Sequence, residues 1–137
     1  MNKPLFSLGL VAIFAIPFAV APSVHAQNNM DPLDRGCEQD AETLTSTSGG
    51  TYRNNLFQTI DVKVELRKSN KCQANWVKAY VPKDTSLYLK DQSGNQRGSY
   101  TAKVNGWNYG DMWNYHEVFS ACIKLPDGRE VCTNPVQ

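Results

Sequence analysis

An excess of charge of either sign is absent from this chain. Lys and Arg number 14, Asp and Glu number 13, and the formal net charge is +1 over 137 residues. Lys3 is the single cation before position 27, so everything after it is formally neutral. Domains that bind nucleic acid through massed phosphate contacts carry a clear basic excess. Polybasic membrane-surface proteins do too. The balance excludes both classes.

Histidine is also scarce. Beyond residue 26 only His116 remains. A Ser-His-Asp arrangement would have to use it, and no nucleophile-elbow motif accompanies it. The four cysteines, Cys37, Cys72, Cys122 and Cys132, contain no C-x-x-C pair, so no clustered zinc site is expected. Asp91-Gln92-Ser93-Gly94-Asn95 lacks the ligand oxygens and closing Glu of a calcium loop, and reads as a turn. Glu38, Asp40 and Glu42 alternate, as the solvated face of a strand would. No catalytic residue, metal or cofactor is expected, and the chain reads as a non-enzyme.

Long apolar runs are missing after residue 26 and concentrated before it. Lys3 makes a small positive start, Leu8 to Val20 is uncharged and mostly apolar, and Val24-His25-Ala26 fits a small-residue cleavage site. This pattern predicts a signal peptide over residues 1–26, cut after Ala26. The alternative is a membrane anchor, but the run is short for a span and Pro17 interrupts it. Residues 27–36 are polar and expected to be a flexible lead-in. Residues 37–137 are expected to be a single β-rich domain. The product would be exported, extracellular or periplasmic, with no stable membrane insertion after cleavage and no nucleic-acid partner.

What the chain does contain is four cysteines, which in an oxidising compartment read as two disulfides. The local sequence selects the pairing. Pro126-Asp127-Gly128 fits a type I turn followed by a left-handed glycine, the three-residue hairpin loop. That loop sets Lys124 against Glu130, Ile123 against Val131 and Cys122 against Cys132, the last at a position where side chains lie closest. Cys122–Cys132 follows, which leaves Cys37–Cys72.

The rest of the pattern is β. Ile60, Val62, Val64 and Leu66 alternate with Asp61, Lys63, Glu65 and Arg67. Asn75 to Val81 alternates Trp76 and Tyr80 with Val77, Ala79 and Val81. Leu87 and Leu89 mark a strand over 86–90, and Tyr100, Ala102 and Val104 mark the next. A weaker strand is expected over 42–47. With no long helical periodicity, the expected fold is all-β, a small antiparallel β-sandwich or barrel with two disulfides.

The best binding candidate is aromatic. Trp107-Asn108-Tyr109 recurs as Trp113-Asn114-Tyr115. Trp107, Tyr109, Trp113 and Tyr115 all fall at odd positions, so in extended chain they share a face. Such rings stack on sugars or anchor protein partners, or else they fill a core short of Leu and Ile.

Asp31-Pro32, Gly36-Cys37, Asp40-Ala41 and Thr43, followed by Glu65-Leu66-Arg67, Ser69, Cys72, Ala74 and Trp76, resemble the small exported bacterial proteins grouped as domain of unknown function 2690. The likeness covers residues 31–81, and Ala121-Cys122 and Cys132-Thr133 follow it more loosely. Cysteines that many members carry before the Asp-Pro step have no counterpart here. The resemblance implies export and a compact β-rich domain, and no activity. Arg67 is expected on the solvated strand face. The functional expectation is an extracellular or cell-envelope binding module for an envelope glycan or an extracellular protein. The alternatives are a small secreted hydrolase using His116, and an inhibitor presenting the hairpin of residues 122–132.

Overall fold

The structure is a computed structural model and describes residues 28–137. The expected signal segment lies outside the described residues. The described residues form nine strands and one 3-10 turn: the turn Cys37–Asp40, β1 (Glu42–Arg53), β2 (Thr59–Ser69), β3 (Ala74–Val81), β4 (Ser86–Asp91), β5 (Gln96–Thr101), β6 (Gly106–Tyr109), β7 (Trp113–Asn114), β8 (Phe119–Lys124) and β9 (Glu130–Cys132). They form two antiparallel sheets. The first runs β1-β2-β3-β6, with β7 also paired to β3, and the second runs β5-β4-β8-β9. The all-β expectation and both disulfides are found.

The two sheets pack because each presents a row of β-branched and aliphatic residues at every second position. Val62, Val64 and Leu66 of β2 and Val77, Ala79 and Val81 of β3 face Leu87 and Leu89 of β4 and Phe119, Ala121 and Ile123 of β8 in one core. β3 is covered on its other face as well. There Trp76, Ala74 and Met112 pack with the Cys37–Cys72 bridge in a second, smaller cluster, and Trp76 is fully buried. The disulfide holds the 3-10 turn as a lid over this cluster.

Cys122 faces Cys132, Ile123 faces Val131 and Lys124 faces Glu130, the register that the Pro126-Asp127-Gly128 loop dictates. The amide of Gly128 donates to the carbonyl of Leu125 at 2.9 Å, and Gly128 has φ +93°, the left-handed conformation that the loop requires.

Several expectations differ from the structure. β1 extends to Arg53, well beyond residue 47, through Ser, Thr and Gly positions that carry no apolar alternation. Its Gly49 lies so close to β2 that an added Cβ would come 2.4 Å from Val62 Cγ1, and it would also reach 3.4 Å from Val131 Cγ2 of the second sheet. β5 stops at Thr101, and Val104 points to solvent instead of extending it. Glu38 and Asp40 lie in the 3-10 turn and engage β2 and the β2–β3 turn rather than forming a solvated strand face. The start of the expected flexible lead-in, residues 28–30, is tied to the 112–114 segment: Asn29 N–H donates to Met112 O, Met112 N–H to Met30 O and Asn114 N–H to Asn28 Oδ1, each at 2.8 Å. That is more attachment than their polar composition suggests.

Candidate binding groove

The face of the first sheet that turns away from the core is where exposed aromatic and polar groups meet. In β2–β3 pairing, Lys63 lies opposite Tyr80 and Arg67 opposite Trp76. In β3–β6 pairing, Tyr80 lies opposite Trp107 and Lys78 opposite Tyr109. Directly opposed residues share a face, so this outer face carries Lys63, Glu65, Tyr80, Lys78, Trp107 and Tyr109 together. Trp76 shares that face but is covered by the disulfide lid.

Tyr80 and Trp107 are 38% and 42% exposed, with ring centroids 5.4 Å apart in an edge-to-face arrangement. The Lys78 ammonium sits 4.9 Å from the Trp107 ring and 5.5 Å from that of Tyr109, and 3.8 Å from Glu38 Oε1. Cation–π contact and a carboxylate thus fix one lysine against two rings. Beside them opens a groove of about 700 Å³ whose lining includes Ser46, Ser48, Asp61, Lys63, Tyr80 and Trp107. Lys63 reaches Glu65 at 3.6 Å. The site therefore offers two ring faces or edges, hydroxyls, a carboxylate and an ammonium in one open trough.

The four aromatics of the repeat do not share a face. Trp107 and Tyr109 lie on the outer face, whereas Trp113 pairs with Asn75 and falls on the inner side, half-buried against the main core with Arg97 5.1 Å from its ring. The cause is a one-residue change of register. Along β3, odd residues of β6 oppose even residues, but Trp113 of β7 opposes odd Asn75. Gly110-Asp111-Met112 absorbs the slip, and a one-residue slip moves every later side chain to the other face. Tyr115 is placed apart, with Lys68 5.2 Å from its ring and His116 beside it.

Arg67 is not a surface charge. Its side chain is 13% exposed, its Nη2 donates to Glu38 Oε1 at 2.6 Å and its Nη1 donates to Thr43 Oγ1 at 2.6 Å. Nearby, Ser69 Oγ donates to Asp40 Oδ1 at 2.5 Å and Lys71 N–H donates to Asp40 Oδ2 at 3.0 Å, and these hydrogen bonds, Ser69 first, hold the Asp40 carboxyl below its ordinary range. Cys37, Asp40, Thr43, Arg67, Ser69, Cys72 and Trp76, scattered in sequence, thus form one connected cluster.

His116 lies in a separate hollow of about 380 Å³ with Asp91, Ser93 and Glu117. The Asp91 carboxylate is occupied there, accepting from Ser93 N–H and Asn95 N–H at 2.9 Å each. No group of three or more His, Cys, Asp or Glu positioned to hold a metal occurs among the described residues.

Asp61, Lys63 and Tyr80 are groove residues that the aromatic repeat did not point to. The signal available was the alternation itself: pairing β2 with β3 places the charged positions of one strand beside Tyr80 of the other. No family model matches the chain, and no curated protein or solved structure matches it at a significant level. The two disulfides fit an oxidising, extracellular-type environment. No helix among the described residues is long and apolar enough to cross a membrane.

Proposed function

We propose that this chain is an exported, non-enzymatic binding module of the cell envelope or the extracellular space, and that it takes a glycan in the groove on the outer face of the first sheet. The observation that carries this reading is the exposed Tyr80–Trp107 pair at the edge of a trough lined by Ser46, Ser48, Asp61 and Lys63. Sugar rings are apolar on their C–H faces and polar at their rims, so they are bound by an aromatic wall beside side chains that donate and accept hydrogen bonds. The site needs little reordering on binding: Lys78 and Tyr80 brace Trp107, and the sheet fixes the backbone. A largely preformed site spends less free energy on ordering.

Export is supported by the leader-like N-terminus and by the two disulfides. The connected cluster of Cys37, Asp40, Thr43, Arg67, Ser69, Cys72 and Trp76 supports grouping the chain with the exported proteins of domain of unknown function 2690, since the residues that carry the likeness act together as one structural unit.

The test is isothermal titration calorimetry of the oxidised protein with oligosaccharides of cell-envelope type, neutral and acidic. Saturable binding that Trp107→Ala abolishes and Asp61→Asn weakens is expected. Binding that survives Trp107→Ala, or a complete lack of binding across the panel, would overturn the reading.

A further inference from the structure

The three most exposed large apolar residues among those described are Leu56 (77%), Phe57 (76%) and Val104 (55%), and they lie at the end of the sandwich formed by the β1–β2 turn and the segments that flank Val81 and Gly106, just beyond the groove's Tyr80–Trp107 pair. Leu56 and Phe57 form the apex of the β1–β2 hairpin. Leu56 and Asn105, next to Val104, line one shallow cavity of about 340 Å³ together with Pro82, Lys83 and Pro126.

The apex is held, not loose. Asn54 Oδ1 accepts from Leu56 N–H at 3.0 Å and from Gln58 N–H at 2.9 Å, Asn54 Nδ2 donates to Gln58 Oε1 at 2.8 Å, and Phe57 N–H donates to Asn54 O at 3.0 Å. Phe57 has φ +61°. An aromatic residue in the left-handed region is an outlier that persists only where its surroundings over-determine it, and such outliers cluster at functional segments. Here the strain is maintained in a loop that points two large apolar side chains at solvent.

Cations stand behind the apex. The Arg53 guanidinium lies 5.0 Å from the Phe57 ring, Lys83 lines the cavity with Leu56, and Lys103 adjoins Val104. None of the three takes part in an ion pair among the described residues. The acids at this end are Asp84 and Asp127, and Asp127 is engaged by Arg129 at 2.9 Å. An apolar apex with a cationic collar is locally basic although residues 27–137 are formally neutral overall.

We propose that this end docks reversibly on an anionic lipid surface, with Leu56 and Phe57 entering the headgroup–acyl boundary and Arg53, Lys83 and Lys103 meeting lipid phosphates. Two features favour lipid over a protein pocket. The apex is convex and two side chains wide, far less than the roughly 800 Å² per partner of a standard protein interface, whereas a lipid interface closes around any protruding tip. The collar places cations where interfacial segments place them, just behind the apolar residues. The docking is weak and rests on the tip alone, which is distinct from the polybasic mode that the overall charge excludes.

Residues 28–137 hold both disulfides and the two apolar clusters of the described residues, and the protein is tested without its first 26 residues, the expected cleaved segment, to keep apolar residues 8–20 out of the vesicles. The measurement is co-sedimentation with vesicles of phosphatidylcholine alone and of phosphatidylcholine with an equal part of phosphatidylglycerol, at low and high salt. Expected is partition onto the mixed vesicles only, reduced by salt. Leu56→Ser with Phe57→Ser should lower it at least about tenfold, and Arg53→Gln or Lys83→Gln about fivefold each. Both apolar positions are exposed, so an unchanged melting curve separates loss of docking from loss of fold. Protein that stays in solution with mixed vesicles, or partition untouched by the Leu56/Phe57 change, overturns the proposal.

Discussion

Arg67 of β2 reaches back to Glu38 of the 3-10 turn, Nη2 to Oε1 at 2.6 Å, across 29 positions of sequence and beside the Cys37–Cys72 bridge. The pair is largely shielded, at 13% and 21% side-chain exposure, and a second Arg67 nitrogen binds Thr43. Removing one partner of a shielded pair leaves the other charge poorly solvated. Arg67→Gln should therefore destabilise the protein by about 2–3 kcal/mol in urea melts. Lys78, 3.8 Å from the same oxygen, compensates in part. The double variant Arg67→Gln, Glu38→Gln should cost less than the two single changes combined. Strict additivity would show that the two side chains do not act as a pair.

The disulfides give a second expectation. Cys37–Cys72 spans 35 residues and Cys122–Cys132 spans 10. On the loop-entropy account, opening the longer bridge costs about 4 kcal/mol and the shorter about 3. Replacing Cys37 and Cys72 by Ala should also loosen the lid over Trp76, so its loss should exceed that account, whereas Cys122 and Cys132 belong to a hairpin already set by its turn. Denaturant melts of the two double-Ala variants check the order. A larger loss at the hairpin would contradict it.

These contrasts also show which features can be read locally in a sequence. The Cys122–Cys132 hairpin was legible because turn chemistry, charge pairing and β-branched pairing all sit within residues 122–132. β2 was legible because half-burial writes itself as alternation. The outer extension of β1 was not, because its Ser, Thr and Gly residues answer to the edge of the sheet rather than to a core. Arg67 looked like a surface charge because the turn that covers it lies far away in sequence. The groove was half legible: Trp107 and Tyr109 stood out, but the slip at residues 110–112 that sends Trp113 to the other face is set by how two short strands dock on β3. Composition carries no trace of it.

That same linker is tested by Gly98. Its φ is +59°, and a Cβ there would come 2.3 Å from the carbonyl oxygen of Asp111. The obstacle is backbone, which cannot swing aside as a side chain can. Gly98→Ala should cost about 3 kcal/mol or more, combining overpacking with an unfavourable backbone conformation. A thermal melt within about 1 kcal/mol of the parent would mean that β5 and residues 110–112 pack less closely than this.

Asp111 carries a pH expectation. Burial, and secondarily the nearby Asp31 carboxylate, push its pKa above the ordinary value of 3.8. An acid whose pKa is raised on folding binds its proton more tightly in the native state. Its contribution is favourable below pH 3.8 and is lost as pH rises through the native value, so at neutral pH the ionised group opposes folding. Asp111→Asn should raise the melting temperature at pH 7, and the advantage should shrink toward zero in acid. Glu130 has the opposite sign. Lys90, then Tyr88, hydrogen bond to it and hold its pKa below 4.5, so its stabilisation is present above that pH and fades as pH falls through the lower native value. Glu130→Gln should therefore lower the melting temperature at pH 7 and have little effect in strong acid. Parallel melting curves for wild type and Asp111→Asn at every pH would refute the assignment.

The three tryptophans separate structure from recognition. Trp76 is fully buried under the Cys37–Cys72 bridge, Trp113 is half-buried against the main core, and Trp107 stands 42% exposed beside Tyr80. Truncating a large aromatic costs in proportion to the cavity left behind. Trp76→Ala should lose about 3–5 kcal/mol, Trp113→Ala about 2, and Trp107→Ala no more than about 1, the value of its edge and cation–π contacts. Oligosaccharide binding should follow the reverse order, absent in Trp107→Ala and retained in a folded Trp113→Phe. If Trp107→Ala proves as destabilising as Trp76→Ala, its ring is part of the packing, and the groove loses the one exposed tryptophan on which its recognition of sugars depends.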